Sequence, residues 1–423
     1  MAHTLVRSRR ANAWRWWWCV ALTLGLGAGC AELSGEPDNV LDDADVSEVT
    51  VVGWERVVVD PSPGRRALEK EVADLSGDGK GDIILGHGAG VRWYQFPASG
   101  NPRDRWIRRD ILTRGDAYEQ MQIRDLNGDR RPDIILSIGR RVEWLQHPGG
   151  AGTGAWTVHL IANGIGHEVR VADLDGDGRL DVITSRTRNL NFQNSPTSWA
   201  PVAWGRGASG DPQDGLDLLN IGSGRGAINV VGANSGGIYW FENPRERGGN
   251  ARVASAWIAH RIGDNDTGGP ALATVDVNGD GRVDVVQAPN EGAQGVQGLI
   301  WWQAPADRRN GAWVRRTIDR SWQAVHKIEV ADLDRDGNLD LILGEQEQSH
   351  DPVGGPYSFT NDRIGVFYND GTGRLTRQIV SRAGGQNQVA RDLDGDSDLD
   401  LVVANHGVYG APNPVELYLN RLR

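Results

Sequence analysis

The chain has 423 residues, with 56 acidic side chains against 45 basic ones and a formal net charge of −11. Its 57 Gly are about twice the ordinary share, and it holds 17 Trp but only two Cys and two Met. This composition excludes a multi-spanning membrane protein, a disulfide scaffold and a helical bundle. The acidic balance speaks against nucleic acid as a partner, because phosphate contacts need an excess of Lys and Arg.

Residues 1–29 read as a secretory signal. Arg7, Arg9, Arg10 and Arg15 precede an apolar stretch from Trp16 to Leu26, and small residues Gly27, Ala28 and Gly29 follow. Cys19 lies inside that signal, so Cys30 is the single Cys of the mature chain and no internal disulfide is possible. Ala28-Gly29-Cys30 resembles the lipobox of bacterial lipoproteins, with Gly27 where Leu is usual. The resemblance implies lipidation at Cys30. Residues 30–47, acidic and poor in apolar side chains, read as a flexible tether. The expected location is the outer membrane or cell surface as a lipoprotein, otherwise the periplasm or the medium. Any membrane attachment would be through the lipid anchor alone.

From residue 48 to 423 a repeat organises the chain. The pattern D-x-[DNS]-x-D-x-x-x-D occurs six times at a period of about fifty residues. Its positions 1, 3, 5 and 9 are Asp74, Ser76, Asp78 and Asp82, then Asp125, Asn127, Asp129 and Asp133. The third copy holds Asp173, Asp175, Asp177 and Asp181, and the fourth Asp276, Asn278, Asp280 and Asp284. The last two hold Asp332, Asp334, Asp336 and Asp340, and Asp392, Asp394, Asp396 and Asp400. An alternating segment such as EVRVADL precedes the copies, and a β-branched run such as DIIL begins at each final Asp. Each copy is therefore a hairpin whose turn carries the acids. Between Asp173 and Asp276 a double period hides a worn copy, Gly222 to Asn229, which has lost its carboxylates and is expected to hold no metal.

Two further strands complete each unit. One bears an aromatic, as at Val91-RWYQF and Leu299-IWWQA. The next opens on Trp, as at Trp106, Trp156, Trp257 and Trp313. Four strands per repeat predict an all-β, seven-bladed propeller, with the degenerate blade 4 at about 205–250. Trp54-ERVVVD is a fourth-strand sequence with no unit before it, while the chain ends on a third strand. The N-terminal strand should therefore complete the last blade and close the ring.

These repeats resemble the FG-GAP/VCBS family, the calcium-bearing repeats of integrin α-subunit heads and of many exported bacterial proteins. The resemblance covers residues from about 50 to 423 and implies Ca²⁺ in the hairpin loops, at about five to six sites. The residues agree, because Ca²⁺ takes six to eight hard oxygens in flexible geometry. Gly79, Gly178, Gly281 and Gly337 permit the sharp turn at position 6, where Arg130 and Ser397 depart from the pattern. The same Asp and Gly clusters also make tight turns without metal.

The acidic turns should share one face of the ring, leaving the other for a ligand. Ser185–Val202, Gln287–Gly298, Glu345–Arg363 and Ala404–Val415 read as long loops on that second face. His87, Trp199, Trp322, His350, Tyr357, His406 and Tyr409 are the candidate contacts. His167 and His326 stand six residues before a calcium Asp and are expected at the mouth of the central channel, beside Glu168 and Lys327. Arg114-Gly115-Asp116 spells an integrin-recognition tripeptide at a frequency that chance explains. The leading reading is a non-enzymatic, monomeric, calcium-stabilised scaffold that binds a polysaccharide or an extracellular or periplasmic protein. The alternative is a carbohydrate-active lyase or dehydratase using His167, His326, Glu168 and Lys327. The motif H-x-[VI]-x-[VA]-A-D-L-D-x-D-G also resembles the propeller part of aldos-2-ulose dehydratases, whose additional domains this chain lacks.

Overall fold

The computed structural model describes residues 53–64, 66–67, 69–114, 118–164, 167–185, 189–203, 214–221, 226–234, 236–265, 271–289, 298–346, 362–405 and 413–421. The signal, the tether and Cys30 lie outside the described residues, as do His350, Tyr357, His406 and Tyr409.

The strands form seven four-stranded antiparallel sheets. A lone strand, β1 (Trp54–Asp60), comes first. Blade 1 follows as β2 (Glu69–Ala73), β3 (Asp82–His87), β4 (Gly90–Gln95) and β5 (Ile107–Thr113). Blade 2 is β6 (Tyr118–Arg124), β7 (Asp133–Ile138), β8 (Arg141–Gln146) and β9 (Thr157–Asn163). Blade 3 is β10 (Val169–Ala172), β11 (Asp181–Thr184), β12 (Asn189–Ser195) and β13 (Ser198–Ala203). Blade 4 is β14 (Asp214–Leu219), β15 (Asn229–Asn234), β16 (Gly237–Glu242) and β17 (Ile258–Gly263). Blade 5 is β18 (Ala271–Val275), β19 (Asp284–Ala288), β20 (Leu299–Gln303) and β21 (Val314–Asp319). Blade 6 is β22 (Val325–Ala331), β23 (Asp340–Glu345), β24 (Ile364–Asn369) and β25 (Leu375–Ser381). Blade 7 is β26 (Gln386–Arg391), β27 (Asp400–Ala404) and β28 (Val415–Asn420), completed by β1 in the register Trp54↔Asn420 to Asp60↔Val415.

The ring closes as the phase of the repeats required. Second strands begin at the final Asp of each acidic turn, and at Asn229 in blade 4. They are buried along their whole length, as in Asp82–His87 and Asp133–Ile138, because a neighbouring blade covers each face. That two-sided burial explains why they read as unbroken apolar runs rather than alternating ones.

The core is correspondingly divided into seven hydrophobic clusters, one in each seam between adjacent blades. Third-strand Trp93, Trp144 and Trp240 are each at most 1 % exposed and fill three of these seams. The first strands pack against one another around the axis: β2 on β6 and β26, β18 on β14 and β22.

One expectation is overturned. Ser185–Val202 is not a long loop, since it contains β12 and most of β13. Blade 3 uses these residues as its third and fourth strands, so blade 4 runs from Asp214 to Gly263, later than 205–250. The other three long connections fall largely outside the described residues. Among the described residues no helix is long and apolar enough to cross a membrane.

Candidate functional site

The six acidic turns share one backbone. Positions 4 and 6 are left-handed in all of them, at φ 74° and 81° for Gly77 and Gly79 and φ 78° and 85° for Gly176 and Gly178. Non-glycine residues hold the same conformation at Arg130 (φ 65°), Arg335 (φ 64°) and Ser397 (φ 75°). So the two atypical turns at Asp125 and Asp392 keep the loop's shape. Position 1 holds that shape: Asp74 Oδ1 accepts from the N–H of Gly77 at 2.7 Å and Asp78 at 3.0 Å, and Oδ2 from Gly79 at 2.8 Å.

Position 9 fastens the turn to the blade. Asp82 Oδ2 accepts from the Leu75 N–H at 3.0 Å, while Oδ1 accepts from the Phe96 N–H at the end of β4 at 2.8 Å. Asp133, Asp181, Asp284, Asp340 and Asp400 repeat both contacts, the second with His147, Gln193, Ala304, Asn369 and Asn420. All six are fully buried. Burial pushes Asp82, Asp133, Asp284, Asp340 and Asp400 up to about 6 and Asp181 up to about 7. In worn blade 4 the Asn229 Oδ1 still accepts from the Asn243 N–H at 2.8 Å. The fastening there survives without charge.

Position 3 divides the turns into two kinds. Where it is Asp, oxygens converge: Asp173, Asp175 and Asp181 offer ligand atoms within 4.8 Å of one another, as do Asp332, Asp334 and Asp336, and Asp392, Asp394 and Asp400. Where it is Ser76, Asn127 or Asn278, the side chain hydrogen-bonds within the turn, as Asn127 Nδ2 does to Asp129 Oδ2 at 3.2 Å. Oxygens ligating one Ca²⁺ at 2.3–2.6 Å lie no more than about 5 Å apart, so the three Asp-rich turns fit a hard cation. Asp332 Oδ1 and Asp394 Oδ1 are moreover buried with no hydrogen-bond partner. Neighbouring arginines supply part of the countercharge: Arg252 reaches from blade 4 to Asp175 and Asp177, and Arg421 lies 2.8 Å from Asp394 Oδ2.

The axis carries the second concentration of charge. Inner strands of blades 1, 3, 4 and 6 carry ionisable residues between their seam positions: Glu69, Glu71, Arg170, Asp217, Lys327 and Glu329. Lys327 Nζ lies 3.0 Å from Glu329 Oε2, and Arg170 Nε 3.3 Å from Asp217 Oδ1. Arg391 bridges Glu329 at 3.6 Å and Glu71 at 4.0 Å, joining β22, β26 and β2. Burial pulls Lys327 down, but Glu329, Glu71 and Glu69 more than offset it and keep the ammonium charged. Burial pushes Glu69 up to about 8 and Lys70 down to about 7. Sequence reasoning singled out Lys327 and missed Glu69, Lys70, Glu71, Arg170 and Asp217. The signal was present, since EKE at 69–71 and KIE at 327–329 place charges in strands whose other seams are apolar.

The remaining candidates are placed as follows. His326 is the second residue of β22 and His167 lies two residues before β10, both half-buried at the ends of inner strands remote from the acidic turns. Glu168 is buried, its N–H donating to Ser185 Oγ at 2.9 Å. His87 is 4 % exposed, and burial with the nearby Arg92 lowers it to about 4. Trp322 is fully buried, donating to Asp319 Oδ2 at 3.1 Å beneath the Arg363 guanidinium, so it supports the wall instead of facing a ligand. Trp199 belongs elsewhere. It pairs with Gln193, the counterpart of Phe96, and so is the repeat Trp of blade 3 at the acidic-turn end of the ring. Arg114 is engaged by Glu143 Oε2 at 2.6 Å, while Gly115 and Asp116 lie outside the described residues.

Seven four-stranded blades, six of them with an acidic turn between first and second strands, define a seven-bladed β-propeller. An FG-GAP-like repeat profile matches residues 74–136, 125–184 and 276–343. FG-GAP-like repeats therefore occupy residues 74–184 and 276–343 of the propeller. No curated protein matches it in sequence. Among solved structures it is similar to an Agrocybe aegerita lectin that recognises non-reducing terminal N-acetylglucosamine, at 19 % identity and TM-score 0.50 over 74 % of this chain and 80 % of the lectin. It is similar to virginiamycin B lyase from Staphylococcus aureus at 8 % identity and TM-score 0.51, over 86 % and 99 % of the two chains. BBS1N, solved in complex with ARL6DN, gives 10 % identity and TM-score 0.55 over 88 % and 99 %. These likenesses are of fold.

Proposed function

We propose that this protein is an exported, calcium-stabilised propeller that acts as a binding scaffold for a polysaccharide or an extracellular or periplasmic protein. The ligand would sit on the face opposite the acidic turns, and a lipid on Cys30 would tether the ring. Carboxylates of Asp173, Asp175 and Asp181, of Asp332, Asp334 and Asp336, and of Asp392, Asp394 and Asp400 would hold the ions. The ion would supply positive charge that neutralises the turn. The observation that carries the binding role is the charged axis. Buried ionisable groups are costly, and Glu69, Glu71, Lys327, Glu329, Arg170 and Asp217 concentrate at the channel where a packed core would have none. Such a wall suits a polar, hydroxyl-rich or charged ligand. The fold it shares with a sugar-recognising lectin is compatible with this reading. A glycan array and a pull-down from envelope extract, each with and without Ca²⁺, test it. Retention of a glycan or protein that Lys327→Met weakens is expected; no retained partner in either assay overturns it.

A second reading, a carbohydrate lyase or dehydratase, is favoured by one observation. Glu69, pushed up to about 8, is the kind of acid that stays protonated at neutral pH, and Glu168, His167 and His326 occupy the same end of the inner strands. Turnover of a polysaccharide that His167→Ala and His326→Ala abolish without altering the melt would establish it. Unchanged turnover in both variants would exclude it.

A further inference from the structure

The acidic turn of blade 7 differs from the others at position 7. That place holds Lys80, Arg131, Arg179 and Arg282 in four of the turns and Asn338 in a fifth. The arginine there faces the position-5 carboxylate: Arg131 lies 3.9 Å from Asp129, Arg179 lies 3.7 Å from Asp177, and Arg282 pairs with Asp280. A fixed cation thus neutralises position 5. In blade 7 the residue is Asp398, so two carboxylates, Asp396 and Asp398, meet where the turns of blades 2, 3 and 5 join an acid to a base.

The geometry is that of an extra ligand set. Asp394, Asp396 and Asp398 offer ligand atoms within 4.8 Å of one another, separately from the set of Asp392, Asp394 and Asp400. Asp398 is 8 % exposed, and its Oδ1 is buried with no hydrogen-bond partner, as is Oδ1 of Asp394. Arg421 engages Oδ2 of Asp394 at 2.8 Å and Oδ2 of Asp396 at 3.4 Å, so it leaves those inner oxygens unsatisfied. Arg421 is the guanidinium paired directly with these carboxylates, while Arg335 acts on Asp398 and Arg103 on Asp394 and Asp400 from farther away. Gathering these carboxylates, of which Asp398 and Asp400 are buried, against so little positive charge is unfavourable.

We infer that the blade 7 turn binds two divalent cations: one between Asp392, Asp394 and Asp400, and a second between Asp394, Asp396 and Asp398, with Asp394 bridging. The second ion takes the place that a position-7 arginine holds in other blades. Hard oxygens alone form both sets, which selects Ca²⁺ or Mn²⁺ over thiophilic metals. The inference rests on the calcium part of the proposed function.

The test uses the full chain and its Asp398→Asn variant, which reproduces the Asn338 found at this position in blade 6. Equilibrium dialysis against Ca²⁺ should give one ion fewer per chain in the variant. Mn²⁺-loaded wild type should show a spin-coupled pair by electron paramagnetic resonance that the variant lacks. An Asp398→Arg variant, which supplies the fixed cation of the other turns, should lose the same ion and melt higher than wild type in chelator. It carries the count if the Asn variant fails to fold. Equal stoichiometry in wild type and variants, with no coupled Mn²⁺ signal, overturns the pair while leaving the other turns loaded. Binding of no divalent ion at all overturns the pair and the calcium reading together.

Discussion

Asp82 and its five counterparts act as buried clamps before any ion is considered. Each joins the turn to the end of the third strand by two backbone hydrogen bonds, and Asn229 shows that an amide keeps one of them. Asp82→Ala should therefore cost about 2–4 kcal/mol, since it strands two buried N–H groups. Asp82→Asn should cost clearly less in metal-free protein, and chemical denaturation in chelator distinguishes the two. Arg130 and Ser397 sit at left-handed φ where most of the turns have Gly. Relieving that strain by Arg130→Gly or Ser397→Gly should raise stability by up to about 1 kcal/mol in the same assay, net of the entropy glycine adds to the unfolded chain. The spacing of the acids was legible because a repeated turn must repeat its ligands. Their clamping role was not, because Phe96, Gln193 and Asn420 share no residue type and are recruited only through backbone N–H groups.

At the level of elements, three turns gather carboxylates and three use Ser76, Asn127 or Asn278 to hydrogen-bond them. The blade 3 turn is further occupied by Arg252, which pairs with Asp175 and Asp177 and stacks on Phe192. Arg252→Ala should lower the melting temperature more in chelator than in saturating Ca²⁺, because the ion can replace the lost positive charge. Equal shifts in both conditions would place the arginine outside the ion's influence. Strands were readable wherever period and aromatics coincided. Blade 3 was misread because its β12–β13 connection is so short that Trp199 falls close behind the third strand instead of a further loop away, and only the pairing with Gln193 reveals its repeat position. The axial charges were legible as composition but not as a cluster. Glu71, Glu329 and Arg391 lie far apart in sequence; blade packing sets Arg391 3.6 Å from Glu329, and ring closure brings it within 4.0 Å of Glu71.

The whole molecule is a ring, so its stability depends on closure and on the turns' charge. β1 supplies the fourth strand of blade 7, and Trp54 packs in the blade 6–7 seam with Val366 and Tyr418. A chain beginning at Ser62 should expose the edge of β28, self-associate more than the full chain and melt less cooperatively, as size-exclusion chromatography and calorimetry would show. The six clamping Asp carboxyls, raised to about 6 or 7 by burial, bind protons more tightly in the folded chain than in the unfolded one. Their contribution is therefore most favourable below the unfolded value of about 4 and is lost as pH rises to about 7. In chelator the melting temperature should fall between pH 5 and pH 7.5, and Ca²⁺ should oppose that fall. The most direct test of the account is thermal unfolding at pH 7.5 in Ca²⁺ and in chelator. With Ca²⁺ at about ten times Kd, three occupied turns contribute about 4 kcal/mol, which should raise the melting temperature by about 5–10 °C. A melting temperature indifferent to chelator, in protein that retains no calcium, would contradict it.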